Sequence, residues 1–157
     1  MSLSLDSDID VLRAAPFFEG FAEEHLRLIA FSAESRSLPE KLLLYDEGQL
    51  LHSAYLLVSG AMRGERRGRD GTPHATRAIG PGALLGERTL ILDTRASESV
   101  RVESRARVLQ IRKAMFRRLW QEYPEIALTL RTRLARNVVA MAAELSRAAE
   151  RLAVMDG

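Results

Sequence analysis

The sequence contains no cysteine, which excludes disulfides, thiolate metal sites and a cysteine nucleophile. Histidine is nearly as scarce. Only His25, His52 and His74 occur, no two of them spaced i, i+2 on a strand, so a metal site inside a β barrel lacks its ligands and the three are read as ordinary surface residues. There is no Ser–His–Asp grouping, Gly-x-Ser-x-Gly elbow or Gly-Lys-Ser/Thr phosphate loop. The expectation is therefore a protein that is not an enzyme, with no catalytic residue, no metal and no cofactor. No apolar run approaches the ~20 residues that would span a bilayer, and the opening "MSLSLDSDIDVL" lacks the basic and apolar regions of a secretion signal. A cytoplasmic protein with no membrane partner is expected. An excess of one charge is missing as well: the formal net charge is +2, and 21 acids interleave with 23 basic residues, 21 of them arginine. Such interleaving argues against a nucleic-acid surface. The densest cluster, "RGERRGRDG" from Arg63 to Gly71, lies beside turn residues and reads as a solvated hairpin tip.

At 157 residues the chain has the size of one domain. Residues 6–33 read as N-terminal helices: Asp6 to Ala14 is a short helix, "PFFEGF" from Pro16 ends it with core-plugging aromatics, and "AEEHLRLIAFSA" sets Leu26, Ile29 and Ala30 at helical spacing behind acids that suit a helix N-terminus. Residues 35–112 change character. Short apolar segments recur there between Gly, Pro, Asp and Ser signals at intervals of ~8–12 residues, the spacing of an all-β barrel or sandwich. Strands are expected at Lys41 to Tyr45, Ala54 to Val58, Ala61 to Arg67, Ala75 to Ile79, Ser97 to Val102 and Val108 to Arg112, with turns at Ser59-Gly60, Asp70-Gly71 and Gly80 to Gly82. Residues 113–155 return to helix. A short amphipathic segment, "KAMFRRLWQEY", precedes Pro124, a residue suited to the first helical position. In the last helix Leu134, Val138, Met141, Leu145, Ala148 and Leu152 recur at alternating spacings of 4 and 3, a heptad seam that either packs against the chain's own barrel or, the preferred expectation, pairs with another helix in a homodimer.

The order of these parts resembles the cyclic nucleotide-binding domains of the catabolite activator family and of protein kinase A regulatory subunits. The resemblance rests on "LRAAPFFEGFAEEHLRLIA", "DEGQLLHSAYLLVSGAMR", "DGTPHATRAIGPGALLGE" and "RVLQIRKAMFRRLWQEYPEIALTLRTRL", in that sequence, and covers most of the chain. It implies an α+β, mainly β fold: an eight-stranded, jelly-roll-like β barrel with N-terminal helices and a long C-terminal helix. It also implies that "LLGERTLILDTRASESV", from Leu84 to Val100, is a phosphate-binding cassette, with Leu85, Gly86, Glu87, Arg88, Thr89, Arg95, Ala96 and Ser97 as the cyclic nucleotide-binding residues. In that role Glu87 accepts a hydrogen bond from the ribose 2′-hydroxyl, and Arg95 offers the planar guanidinium fork that pairs with phosphate oxygens. Arg131, Thr132 and Asn137 on the last helix are the first places to look for contacts with the base.

The cassette departs from the family pattern. Arg95 arrives one residue early; if Val100 is held in register, the arginine position falls on Ala96, and Glu98 enters where a small neutral residue belongs. A carboxylate beside phosphate is repulsive. Two expectations follow. Either the loop adjusts so that Arg95 reaches the phosphate, and the chain is a regulatory module that binds a cyclic nucleotide, cAMP in preference to cGMP, and signals through its C-terminal helix; or it is a ligand-independent dimerisation or scaffold module with a degenerate nucleotide site. In catabolite activators a helix-turn-helix domain follows the long helix, whereas this sequence stops at Gly157, so this chain alone is expected to bind no nucleic acid.

Overall fold

The computed structural model describes residues 2–156, with side chains throughout except at 2–4, 137, 138, 140, 141, 155 and 156. The chain divides into two compact units, one running through Leu119 and one from Trp120. In the first unit, helix α1 (Ser2–Ala14), a 3₁₀ turn (Pro16–Phe18) and helix α2 (Glu23–Ser32) lead into six strands: β1 (Glu34–Leu38), β2 (Leu43–Tyr45), β3 (Ser53–Arg67), β4 (Pro73–Ile79), β5 (Leu84–Leu85) and β6 (Ser99–Arg112). A second 3₁₀ helix (Glu87–Leu90) separates β5 from β6. Helix α3 (Lys113–Glu122) follows β6, and helix α4 (Pro124–Asp156) forms nearly all of the second unit.

The aromatic segment after α1 does what its composition implies. Phe18 stacks edge-on against Phe17 and Phe21, with centroids 5.0 and 5.3 Å away, and Phe116 of α3 joins them at 6.4 Å from Phe18. Burying aliphatic or phenyl side chains of this size stabilises a fold by about 1.5–3 kcal/mol each, and Phe18 and Phe116 are both fully buried.

All six strands belong to one antiparallel sheet ordered β1-β6-β3-β4, with β2 also paired to β6 and β5 to β3. The sheet is not closed, and its six strands differ from the eight-stranded barrel expected. The count differs because two expected breaks are bends inside long strands. Ser59-Gly60 is not a turn: β3, 15 residues long, runs through it opposite the 14 residues of β6, and the register slips between Leu57 and Met62. Gly60 has φ +92°, and a Cβ there would lie 2.3 Å from the Arg105 carbonyl oxygen, so the irregularity is built around a residue without a side chain. The polar "ESRAR" of residues 103–107 likewise stays in β6. There Ala106 turns inward, while Arg107 reaches Asp8 of α1 at 2.6 Å. The hairpin at Asp70-Gly71 forms as expected, with Thr72 N–H donating to the Asp70 side chain at 3.0 Å and Gly71 at φ +79°.

The inward face of the sheet is apolar: Leu57, Met62, Ile79, Leu85, Val100 and Val108 belong to one buried cluster, which Tyr45 and Ala96 complete. His25 corrects the view of the histidines as surface residues, since it is buried in α2, whereas His52 and His74 are exposed. In α4 Leu134, Leu145 and Leu152 of the heptad seam are exposed, Ala148 is half-buried, and the side chains of Val138 and Met141 lie outside the described residues. Among the described residues no helix is long and apolar enough to cross a membrane.

Candidate functional site

The segment from Leu84 to Glu98 walls a cleft of about 660 Å³ that Tyr45, Leu51 and Arg77 also line. Three local features shape it. Gly86, at φ +71°, begins the 3₁₀ helix in the left-handed region, and a Cβ there would come within 3.2 Å of the Leu51 side chain. Thr89 is fully buried and donates its hydroxyl to the Leu51 carbonyl at 2.8 Å, which ties the 3₁₀ helix to the segment that precedes β3. That segment then pairs with the end of the cassette: Leu51 N–H donates to Thr94 O, Ala96 N–H to Gln49 O and Gly48 N–H to Ala96 O, at 2.8–3.0 Å.

The expected binding residues separate into two groups. Leu85, Gly86, Glu87, Arg88, Arg95 and Ser97 line the cleft, with Glu87, Arg88, Arg95 and Ser97 exposed. Thr89 and Ala96 do not line it: Thr89 serves as the tie just described, and Ala96 sits in the core cluster. The Arg95 guanidinium donates to the Gly48 carbonyl at 3.1 Å. On α4, the Thr132 hydroxyl donates to the Leu128 carbonyl at 3.0 Å, Arg131 is exposed, and the side chain of Asn137 lies outside the described residues.

Glu98 is the unexpected feature of the wall. Its side chain is only 10% exposed, yet it carries a carboxylate into the cleft. Oε1 accepts from Arg77 Nε at 2.7 Å and Oε2 from the Thr76 hydroxyl at 2.5 Å. Neighbouring strand residues normally face opposite sides, so two successive donors on one carboxylate need an explanation. The β3–β4 register supplies it: Gly64 pairs with Arg77 and Glu65 with Ala75, which leaves Thr76 as the extra residue of a bulge. Burial acts to raise the pKa of Glu98, but the hydrogen bonds from Thr76 and Arg77 and the charges of Arg77 and Arg66 outweigh it, so the carboxyl titrates below the ordinary glutamate value. Beside it Tyr45 is pushed up to about 12, first by burial and then by the Glu98 charge, with Arg77 acting in the opposite sense.

Arg77, Tyr45 and Leu51 carry no motif that marks them as cleft residues; they arrive through the sheet and the preceding loop. Glu98 is visible in the sequence as a departure from pattern, but its partners are not.

The cleft is polar, carries arginines and is walled by a glycine-initiated 3₁₀ helix on an antiparallel sheet. The family model for the cyclic nucleotide-binding domain matches residues 35–123, and the chain belongs to that family. It is 27% identical over 127 residues to the cyclic AMP receptor protein of Thermus thermophilus, and the match takes in 81% of this chain but 59% of that protein. The chain thus spans about three fifths of the length of this curated relative. Among solved structures it is similar to a cyclic nucleotide-binding-like protein from Brucella abortus, with TM-score 0.70 and 36% identity over 74% of this chain and 99% of that one. The N-terminal domain of a Streptomyces coelicolor transcriptional regulator shares the fold, with TM-score 0.80 at 22% identity over 87% and 95% of the two chains.

Proposed function

We propose that this chain is a cytoplasmic regulatory sensor, not an enzyme, that takes a cyclic nucleotide into the cleft under Gly86 to Glu98 and passes its occupancy to the C-terminal helix. The observation that carries this reading is the cleft itself, about 660 Å³ in volume and bordered by Gly86, Glu87, Arg88, Arg95 and Ser97 of the cassette. Glu87 lines the cleft and is exposed, which supports its role as acceptor from a ribose hydroxyl, and the charges of Arg88 and Arg95 support binding of a phosphodiester. The preference for cAMP over cGMP is supported by the name of the Thermus relative, a cyclic AMP receptor protein.

The proposed homodimer uses the heptad seam of α4, whose Leu134, Leu145 and Leu152 are exposed in the single chain. A ligand shifts such a helix only through its differential affinity for two arrangements, a coupling of about 1–3 kcal/mol. A single domain over residues 1–157 is part of this proposal.

A second reading, a ligand-independent dimerisation or scaffold module, is favoured by one observation. The residue in register for the phosphate arginine is Ala96, a core residue, and Glu98 brings a negative charge to the same wall. Calorimetric titration of the purified chain with cAMP and then cGMP separates the two. Saturable binding at one site per chain, tighter for cAMP, is the expected result. No heat, with a melting temperature unmoved by millimolar nucleotide, would favour a degenerate cassette and a scaffold or other-ligand role instead.

A further inference from the structure

We propose that Arg77, on β4, is the anion ligand of this cleft, supplying the guanidinium that the cassette resemblance assigns to Arg95, and that Glu98 is the residue that positions it. The inference rests on the cyclic nucleotide reading above and names the residues on which that reading turns.

Three observations carry it. First, the cassette does not direct an arginine into the cleft from the expected position: Ala96 is buried in the core, and Arg95, one residue earlier, is exposed and donates to the Gly48 carbonyl. Second, Arg77 lines the same cleft and is held by one end only. Its Nε donates to Glu98 at 2.7 Å, its side chain is 54% exposed, and among the described residues its terminal nitrogens have no hydrogen-bond partner. A guanidinium anchored through Nε still presents the Nη pair, a planar fork matched to two phosphate oxygens. Third, the carboxylate that departs from the family pattern is engaged on both oxygens, by Arg77 and by Thr76. An approaching phosphodiester therefore meets the outer edge of a neutralised pair, with Arg88 and Arg95 adding positive charge in the same cleft.

Glu98 thus changes its meaning. As an isolated charge it would repel a phosphate; as the partner of Arg77 it fixes the direction of the donor that the cassette lacks. Replacing the cassette arginine by one on the sheet also moves the anion contact onto β4, a strand paired with β3, and away from a loop.

The test is calorimetric titration of the full chain with cAMP, using the wild type and the variants Arg77→Ala, Arg77→Lys, Arg95→Ala and Glu98→Gln. Arg77→Ala is expected to weaken binding roughly 10- to 100-fold, the loss of charge-assisted hydrogen bonds to phosphate. Arg77→Lys loses most of the same affinity, because an ammonium cannot hold the anchor and the fork together, and it serves in place of Arg77→Ala if that variant does not fold. Arg95→Ala, which removes an exposed nearby charge but no hydrogen bond to the phosphate, weakens binding far less than Arg77→Ala. Glu98→Gln weakens binding only while Arg77 is present, so that the double variant with Arg77→Ala binds no worse than Arg77→Ala; a merely structural glutamate would add its own loss. Binding abolished by Arg95→Ala and untouched by Arg77→Ala overturns the assignment while the sensor reading stands. A wild-type chain that takes up no cyclic nucleotide overturns both.

Discussion

Gly64 and Glu98 lie so close that a Cβ on the glycine would stand 2.2 Å from Oε2 of the carboxylate and 2.5 Å from the Thr76 hydroxyl. The buried acid thus depends on a missing side chain on the neighbouring strand, as much as on the donors that neutralise it.

Gly64→Ala is accordingly expected to destabilise the fold by about 1–3 kcal/mol, the usual cost of forcing extra atoms into a packed site. Removing glycine from a strand returns at most about 1 kcal/mol of backbone entropy, which is the smaller effect. Urea denaturation measures the difference. Adding Glu98→Ala should recover part of the loss, and an equal loss in both backgrounds would place the clash elsewhere.

Thr89 offers a cleaner hydrogen-bond test. Thr89→Val keeps the volume and removes the hydroxyl that the Leu51 carbonyl accepts from at 2.8 Å, in a position with no solvent exposure. A buried carbonyl left without its donor costs about 1–3 kcal/mol. The melting temperature of the chain should fall accordingly, while Thr89→Ser, which retains the donor, should fall less.

Acid sensitivity follows from Glu98. Its carboxyl titrates below the ordinary value of 4.5 in the folded chain, so its contribution to stability is complete above pH 4.5 and is lost as the pH falls from there through the lower folded value. Glu98→Gln should flatten stability against pH in that acid range and leave its shape near neutrality alone. Tyr45 has the opposite sign. With its phenol raised from 10.0 to about 12, its contribution is complete below pH 10 and is lost as the pH rises through 12. Ultraviolet titration should find one tyrosine ionising near pH 12, and Tyr45→Phe should remove it.

The helix seam is tested by charge. Leu145 and Leu152 are exposed on α4 at heptad spacing, and Leu145→Glu with Leu152→Glu should convert a dimer to a monomer in sedimentation at micromolar protein. A sedimenting mass identical to that of the wild type would remove the helix from the interface.

Much of this architecture was legible in the periodicity. The 3.6-residue spacing of Leu26, Ile29 and Ala30 marked α2, and the change to short apolar segments after Ser35 marked the sheet. What misled was punctuation. Ser59-Gly60 and the polar residues 103–107 look like strand ends because glycine and charge usually are, but β3 and β6 pair on both sides of these stretches, and the register slips there without ending either strand. The cleft was legible where it is local, in Gly86-Glu87 and Arg95, and illegible where residues meet from different strands. Arg77 and Glu98 are 21 positions apart, and nothing in their local sequence pairs them.

Local chemistry in the chain was enough to specify the helices, the alternation of the strands, the hairpin at Asp70-Gly71 and the family, because each depends on residues near one another or on their order. Which way Glu98 faces, which guanidinium meets it and whether its charge is neutralised depended on a bulge at Thr76, the absence of a Cβ at Gly64 and the register between β3 and β4. Those are relations between strands, set when the sheet assembles, and a shift of one residue in that register would turn the same side chains to the other face.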